Sequence, residues 1–203
     1  MDLVTYYNDT VKANDSGERW AYYYYGIASD VINKNNYKVA LEVGIGYGTH
    51  AKNILKNTNV ATLFLVDPMR QYENDGFSDD IMRQIPKIHG KNFDELYGLI
   101  QNELSPWAAR TVFIRKPSLE VTEIPDGSVD FIFLDGDHSY TAVLADLKHW
   151  MPKLASGGML MGDDYWMADV ARAVHEYEAS ADRKADFIVK PSSGYKLYTF
   201  SNK

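Results

Sequence analysis

The sequence contains no cysteine in its 203 residues, which excludes disulfides, a thiolate nucleophile and a thiolate metal site. Long apolar runs are also absent, because none approaches the roughly 18 residues needed to span a bilayer. The first ten residues, MDLVTYYNDT, lack the basic and apolar stretches of a secretory signal. Basic residues are outnumbered, with 21 Lys and Arg against 28 Asp and Glu, and the formal net charge of -7 repels a phosphate backbone. We therefore expect a cytoplasmic protein with no membrane span and no nucleic-acid partner.

What the chain does have is a regular alternation of short apolar runs with longer amphipathic segments. The segments 49–57, 92–104 and 139–154 have apolar spacing close to 3.6 residues, as helices do. The runs between them are near-continuous in apolar residues, which is typical of strands buried on both faces. These runs are KVALEVG (38–44), ATLFLVD (61–67), TVFIRK (111–116), VDFIFLD (129–135) and GGMLMGD (157–163). This βαβα pattern predicts an α/β fold, a Rossmann-like parallel sheet with helices on both faces.

The carboxyl-terminal part of the chain departs from this pattern. After a helix expected near 167–181, two further apolar runs, 185–190 and 194–201, are joined by a turn around PSSG. That turn is too short for a parallel crossover. We therefore expect seven strands, six of them parallel and the last one reversed.

A helical lead should precede this core. It is expected over residues 1–36, with its helix from about 17 to 35, and the core over 37–203. The length fits a single domain spanning 1–203. The segment 72–90 has no strong strand signal and is interpreted as a lid or a helix-bearing insert.

The first strand runs into a glycine-rich loop, LEVGIGYGTH (41–50). Gly44, Gly46 and Gly48 lie between a strand and a helix, where glycine lets the backbone approach a ligand closely. The spacing is GxGxG and not the GxGxxG of the dinucleotide fingerprint. A tight turn without a ligand is the alternative interpretation. Glu42 weakens that alternative, because a buried carboxylate needs a cationic ligand or a network of amides as its partner.

A second signal lies at the end of the second strand, in LFLVDP (63–68). Asp67 comes about 20 residues after the first glycine, where a carboxylate can accept both hydroxyls of a ribose. The alternative is an N-cap or an Asp-Pro turn. Together the loop and the carboxylate indicate a nucleoside cofactor.

With these motifs the chain resembles the class I S-adenosylmethionine-dependent methyltransferases over about residues 36–203. The likeness rests on LEVGIGYGTH, on the acidic end of LFLVDP, on RKPSLEV (115–121) and on the reversed last strand. It implies the strand order 3-2-1-4-5-7-6 with strand seven antiparallel, and S-adenosylmethionine as cofactor.

The resemblance also implies cofactor contacts. Gly44, Gly46 and Gly48 would pass under the methionine part, Asp67 would hold the ribose, and Ser118 would contact the adenine. Lys116 and Pro117 stand where the family usually has small or acidic residues before that serine, a departure at the adenine contact.

Carboxylates follow two of the predicted strands. Asp135 ends the fourth strand in FIFLDGDHSY, and Asp163 and Asp164 end the fifth in GDDYW. Adjacent parallel strands lie about 4.8 Å apart, so these three carboxylates can converge on one point. Three clustered negative charges repel one another, and oxygen ligands of this kind bind a hard divalent cation. Magnesium is expected first, with calcium or manganese as the other candidates. The alternative is that Asp164 caps the next helix and Asp163 forms a local salt bridge.

At these positions the chain resembles the metal-dependent O-methyltransferases of the catechol and caffeoyl-CoA types. Those enzymes carry an Asp after strand four and an Asp-Asn pair after strand five as metal ligands. Here the pair is Asp163-Asp164, as in the macrocin-type sugar O-methyltransferases. The resemblance implies that Asp135, Asp163 and Asp164 bind the metal, with Asp135 also beside the cofactor and in the catalytic set.

His138 follows Asp135 by three residues, where the catechol-type enzymes have a lysine that acts as the general base. Histidine can do this work near neutral pH, because its ordinary pKa is about 6.5. An adenine-stacking or helix-capping histidine is the alternative. Asp137 could orient His138 or hold cofactor, but capping of the helix that starts at Ser139 is favoured. Trp166 could wall the substrate pocket, as the residue after the pair does in catechol-type relatives.

The sequence therefore predicts methyl transfer from S-adenosylmethionine to a hydroxyl of a small molecule such as a catechol, a diol or a sugar. A homodimer is expected by analogy with relatives. Two other functions stay open at this point: an NAD-dependent oxidoreductase, which would not need the Asp pair, and a non-catalytic nucleotide-binding module.

Overall fold

The structure, a computed structural model, describes residues 1–14, 25–70, 85, 89–90, 92–189 and 194–202. One seven-stranded sheet with the order β3-β2-β1-β4-β5-β7-β6 organises these residues. The strands are β1 Val39–Val43, β2 Thr62–Val66, β3 Thr111–Ile114, β4 Val129–Leu134, β5 Leu154–Gly162, β6 Asp186–Val189 and β7 Lys196–Ser201. Strand β7 is antiparallel to both of its neighbours, and the pairs from β3 to β5 are parallel. The predicted fold class and strand order are confirmed.

Helices cover both faces of this sheet. They are α1 Leu3–Asn14, α2 Tyr25–Asn35, α3 Thr49–Asn57, α4 Phe93–Glu103, α5 Tyr140–Trp150 and α6 Ala168–Ala181. Within the described ranges, three short 3₁₀ helices lie between them, at Ser105–Arg110, Ser118–Glu120 and Met151–Lys153. Among the described residues, no helix has both the length and the apolar character needed to cross a bilayer.

Successive residues of a strand face opposite sides of the sheet, and their side chains pack into two separate hydrophobic cores. In β4, Phe131 and Phe133 pack with residues of α1 to α4, whereas Ile132 and Leu134 pack with residues of α5 and α6. All four are buried. Because both faces of these strands are buried, their sequences are near-continuous apolar runs. A half-exposed strand would instead alternate apolar and polar residues.

The amino-terminal lead differs from the expectation. The structure has helix α1 ahead of the segment expected to be helical, and α2 ends at Asn35 as predicted. Leu3, Tyr6 and Tyr7 have the i, i+3, i+4 spacing of one helix face, and all three are buried against the core. Residues 15–24 lie outside the described part of the chain.

The lid or insert predicted for 72–90 lies almost wholly outside the described residues. Only Ile85, His89 and Gly90 of that segment are described. His89 stacks on Tyr6, with 3.6 Å between ring centroids and 13° between ring planes. The end of the segment therefore contacts α1, and its role as a lid stays a prediction.

Candidate active site

The carboxyl ends of β1, β4 and β5 bring the predicted site residues to one edge of the sheet. Leu134 is in register with Val43 on one side and with Gly162 on the other. The backbone ladder continues one residue further, because the Asp135 N–H donates to the Val43 carbonyl at 2.9 Å and the Asp163 N–H donates to the Leu134 carbonyl at 3.1 Å. Gly44, Asp135 and Asp163 are therefore neighbours at this edge.

The glycine loop needs its glycines for two different reasons. At Gly44 the backbone has a φ of +83°, and a Cβ there would lie 2.0 Å from the carbonyl oxygen of Asp135. At Gly46 φ is +48°, and nothing lies within 4 Å of the position that a Cβ would take. Gly48 is the N-cap of α3, and no side chain caps the helix there. Gly44 is thus required for close packing of the backbone, whereas Gly46 borders open space.

Asp67 joins the glycine loop to the end of β2. Its Oδ2 accepts a hydrogen bond from the Ile45 N–H at 3.0 Å, and its Oδ1 accepts one from the Met69 N–H at 2.7 Å. The side chain is buried, which raises the pKa of the carboxyl, although these amide hydrogen bonds oppose the shift. Each carboxylate oxygen has a further lone pair, so the ribose contact remains compatible with this arrangement and stays a prediction.

Glu42 has a partner that sequence reasoning did not identify. His50 of α3 lies beside it, with 3.5 Å between His50 Nδ1 and Glu42 Oε1, and both side chains are almost fully buried. Burial raises the pKa of Glu42, and His50 opposes that shift. The second oxygen, Oε2, is buried and accepts no hydrogen bond from the described residues. One carboxylate oxygen in this strand is thus left for another partner.

Ser118 is engaged by helix α5. Its hydroxyl donates to Asp146 Oδ1 and accepts a hydrogen bond from the Trp150 indole N–H at 2.7 Å. The hydroxyl proton and one lone pair are therefore used inside the protein. An adenine contact through this hydroxyl would have to use the remaining lone pair, and it stays a prediction.

Asp146 makes a pH-dependent contribution to stability that can be measured. Burial raises the pKa of Asp146 to about 6, and the hydrogen bond from Ser118 opposes the shift. A raised carboxyl pKa means that stability is fully present below the unfolded pKa of about 3.9 and is lost as the pH rises through 6. Asp146→Asn keeps an acceptor for Ser118 and removes the charge. We expect the variant to unfold at nearly the same denaturant concentration as the wild type at pH 4, and to be more stable by roughly 2–3 kcal/mol at pH 8.

Chemical denaturation of both proteins at pH 4, 6 and 8 checks this expectation. Other titrating groups are common to both proteins and cancel in the difference. A difference in unfolding free energy that does not change with pH would contradict the assignment.

The acidic residues and His138 form a compact cluster. His138 Nε2 lies 3.1 Å from Asp164 Oδ2 and 3.4 Å from Asp135 Oδ1. Ligand atoms of these three residues all lie within 4.8 Å of one another, which is the separation that a shared metal ion requires. The grouping differs from the predicted set, because it contains His138 in place of Asp163. Burial lowers the pKa of His138, but the hydrogen bond and charge of Asp135 and the charges of Asp164 and Asp163 outweigh it and raise the pKa to about 9.

Asp163 lies deeper than Asp164. Its Oδ1 accepts the N–H of Asp164 at 2.7 Å and the hydroxyl proton of Tyr195. The pKa of Asp163 is raised to about 7, first by burial and then by the negative charges of Asp135 and Asp164. Asp163 is therefore a buried carboxylate held among charges of its own sign.

Asp164 adopts a left-handed backbone with φ +54°. Its Oδ1 accepts the indole N–H of Trp166 at 2.7 Å, while its Oδ2 faces His138. The N-cap of α6 is Met167, and no side chain caps that helix, so Asp164 does not serve as its cap. Trp166 is 69% exposed beside the cluster, in a position to wall a pocket.

Asp137 contributes to the start of α5. Its Oδ1 accepts the N–H of Ser139 at 2.8 Å, and Ser139 is the N-cap residue, accepting from the Ala142 N–H at 3.4 Å. The side chain of Asp137 thus supports the residue that caps the helix and does not cap it directly.

Tyr195 is the residue of the cluster that sequence reasoning missed. It precedes β7, and its hydroxyl reaches both carboxylates of the Asp pair. Burial, followed by the charges of Asp163 and Asp164, raises the pKa of Tyr195, so the phenol keeps its proton. The reversed last strand was the sequence signal that could have identified Tyr195. Because β7 is antiparallel to β5, the residues just before β7 lie near the carboxyl end of β5.

The sheet order and the glycine loop define the class I methyltransferase fold. A family model described as a methyltransferase domain matches residues 41–165, which is more than half of the chain. The chain therefore belongs to this methyltransferase family, and the resemblance found in the sequence is confirmed at the level of family and fold.

A similar protein matches about two thirds of the chain. Protein R132 of Acanthamoeba polyphaga mimivirus, described as uncharacterized, is 26% identical over 145 residues. The match covers 68% of this chain and 58% of that protein, so the chain spans little more than half of its relative.

Two solved structures share the fold. The O-methyltransferase NovP has a TM-score of 0.63 and 17% identity over 88% of this chain and 78% of its own. An O-methyltransferase from Bacillus cereus, solved in complex with SAH, has a TM-score of 0.61 and 12% identity over 96% of this chain and 89% of its own.

Proposed function

We propose that the protein transfers a methyl group from S-adenosylmethionine to a hydroxyl oxygen of a small molecule, with the help of a divalent cation. The observation that carries this proposal is the meeting of two features at one sheet edge. An open glycine loop follows β1, and a cluster of carboxylates with one imidazole follows β4 and β5. Methyl transfer needs little covalent chemistry from the protein beyond aligning an acceptor oxygen and removing its proton.

The residues around the glycine loop fit the nucleoside cofactor. Open space borders Gly46, and the N-cap of α3 is Gly48, which has no side chain to cap the helix, an arrangement suited to the carboxylate of a bound amino-acid moiety. Glu42 Oε2 is a buried acceptor free of described partners, suited to a cationic group. S-adenosylmethionine, when bound, supplies a methyl group made electrophilic by its sulfonium. Asp67 would hold the ribose hydroxyls with the lone pairs that the loop amides leave.

The acidic cluster fits a hard divalent cation. Asp135, Asp163 and Asp164 are the proposed ligands. The pKa of Asp163 is raised first by burial and then by the charges of Asp135 and Asp164, and a bound cation would oppose both effects. Magnesium suits an all-carboxylate set, with calcium or manganese as the alternatives. A bound cation would supply Lewis acidity that fixes two acceptor oxygens and acidifies the reacting hydroxyl. The carboxylate charges that hold the pKa of His138 near 9 would be offset by a bound cation, which favours the neutral imidazole. Neutral His138 would then take the hydroxyl proton at Nε2.

The acceptor would be a vicinal diol, a catechol or a sugar. Two adjacent oxygens of such an acceptor would suit a hard cation held by carboxylates, because a cation of this kind takes oxygen ligands. Trp166 would cover one side of the acceptor, because its ring is exposed while its N–H is held by Asp164. Trp166 would thereby favour a flat or apolar ring face over a charged one.

Calorimetric titration of the protein with S-adenosylhomocysteine and, separately, with NAD tests the cofactor assignment. We expect saturable binding of S-adenosylhomocysteine and no measurable heat from NAD at the same concentrations. Binding of NAD alone would contradict the proposal and favour an oxidoreductase, the alternative that the glycine loop left open.

A further inference from the structure

Tyr195 connects the carboxyl-terminal hairpin to the Asp163-Asp164 pair. Its hydroxyl donates to Asp163 Oδ1, lies 3.2 Å from Asp164 Oδ1 and lies 3.3 Å from the Asp164 N–H, which points to it. A single phenol thus contacts both neighbouring carboxylates and the peptide between them. No other described side chain hydrogen-bonds to both carboxylates of the pair.

The topology of the sheet places the phenol there. Strand β7 is antiparallel to β5, with Tyr198 opposite Gly162, so the residues just before β7 lie beyond the carboxyl end of β5. Gly162 permits a close approach of the two strands, because a Cβ at that position would lie 2.0 Å from the Tyr198 ring. The ring of Tyr195 packs against the core beneath, which fixes the direction of its hydroxyl.

The contacts divide the four oxygens of the pair into two groups. Asp163 Oδ1 is held by Tyr195 and by the Asp164 N–H, and Asp164 Oδ1 is held by Trp166 and approached by Tyr195. The Oδ2 atoms are free of these contacts, and that of Asp164 faces His138 across 3.1 Å. Fixing one oxygen of a carboxylate orients the other, which is how outer hydrogen bonds tune a metal ligand.

We propose that Tyr195 is a positioning residue that holds one oxygen of Asp163 and one of Asp164 so that their other oxygens converge on a divalent cation. The inference rests on the proposed function, since it concerns the same cluster. Without the hydroxyl, two like-charged neighbours would turn apart, and the cation would lose preorganised ligands. The hairpin of β6 and β7 then becomes part of the site through one hydroxyl.

Tyr195→Phe tests this proposal because it keeps the packed ring and removes only the hydroxyl. Tyr37→Phe is the matched control. The Tyr37 hydroxyl donates to the Gly157 carbonyl at 2.9 Å, at the opposite edge of the sheet. Manganese is the probe, and its affinity is measured from the electron paramagnetic resonance signal of the free ion. S-adenosylhomocysteine affinity is measured by calorimetry on the same three proteins.

For Tyr195→Phe we expect manganese affinity to fall by about 10-fold or more, with S-adenosylhomocysteine affinity unchanged. In turnover, the manganese concentration at half-maximal rate should rise by a similar factor, and saturating manganese should restore most of kcat. Tyr37→Phe should match the wild type in all three measurements. A role in packing alone would not give this split between metal requirement and kcat.

Two results would overturn the inference, and they are distinguishable. If the wild type binds manganese and Tyr195→Phe binds it equally well, Tyr195 does not position the pair and the proposed function stands. If the wild type binds no manganese, the cation part of the proposed function fails, and the role of Tyr195 fails with it.

Discussion

Asp163→Ala should lose cation-supported methyl transfer by at least about 100-fold while S-adenosylhomocysteine affinity changes little. The reason is that Asp163 is one of three proposed cation ligands, and the Lewis acidity they support contributes several kcal/mol to catalysis. Asp163 lies after β5, whereas the glycine loop lies after β1, so the cofactor contacts are on other residues. The measurement is initial rate at saturating cofactor with magnesium, together with calorimetric binding of S-adenosylhomocysteine.

Asp126→Ala is the control for this variant. Asp126 is an exposed carboxylate that pairs with Lys153 at 2.8 Å, and its loss leaves the cluster untouched. Thermal unfolding of both variants shows whether they remain folded. An Asp163→Ala protein that is folded and retains the wild-type rate in magnesium would contradict the assignment of Asp163 as a ligand.

Gly46→Val should lower S-adenosylhomocysteine affinity by at least about 100-fold, equivalent to about 2.7 kcal/mol. Two effects contribute. The left-handed backbone at Gly46 disfavours a β-branched residue, and the new side chain would enter the open space that the cofactor is proposed to occupy. Manganese binding should be retained, because the acidic cluster lies on the ends of β4 and β5.

Gly127→Val separates these two effects. Gly127 also has a positive φ, +66°, and nothing lies within 4 Å of the position its Cβ would take. It lies in the turn before β4, with its N–H donating to the Pro152 carbonyl at 3.0 Å, far from the glycine loop. The control should share the loss of stability and keep full cofactor affinity. Equal affinity losses in both variants would show that backbone strain alone, and not occupation of the loop, explains the result.

The parallel sheet and its reversed last strand were predictable from the sequence because two signals agreed. Strands buried on both faces, such as β4, lose the alternation of an exposed strand, and the short turn between β6 and β7 demanded reversal. The order 3-2-1-4-5-7-6 itself came from family resemblance. Helix α1 was missed because its buried face is built largely from Tyr6 and Tyr7, residues that also occur on surfaces.

The site residues whose positions are set by the ends of strands were predictable from the sequence. Asp135 and Asp163 each follow the last residue of a strand, so their proximity follows from the parallel pairing of β4 and β5. The exact partner of each side chain was not predictable in this way. His138 lies between Asp135 and Asp164, and no spacing rule specifies the conformation of the loop that places it there.

Partners that arrive from distant parts of the chain were the hardest to foresee. Ser118 meets Asp146 and Trp150 only when α5 packs on the sheet, and Glu42 meets His50 only when α3 does. These contacts satisfy groups that the sequence could identify only as costly to bury. Sequence reasoning thus identified which polar groups need partners, and the fold supplied the partners.

The charge arrangement of the cluster explains why a cation is the central element of the proposal. Asp135, His138 and Asp164 are half-buried together beside the buried Asp163, and burial raises the pKa of Asp163 and of Asp164. Removing charges from water without neutralising them is costly, so the cluster is better suited to a positive ligand than to an empty pocket. Trp166 donates a hydrogen bond to Asp164 Oδ1 and Tyr195 donates one to Asp163 Oδ1, while Asp164 Oδ2 faces His138.

The most direct test of the central claim is methyl transfer from labelled S-adenosylmethionine to a panel of catechols, diols and sugars. The protein is first treated with a chelator and then assayed with and without added magnesium. We expect labelled product from at least one acceptor with magnesium, and a loss of at least about 100-fold in chelator. Equal rates in chelator and in magnesium would contradict the proposed role of Asp135, Asp163 and Asp164.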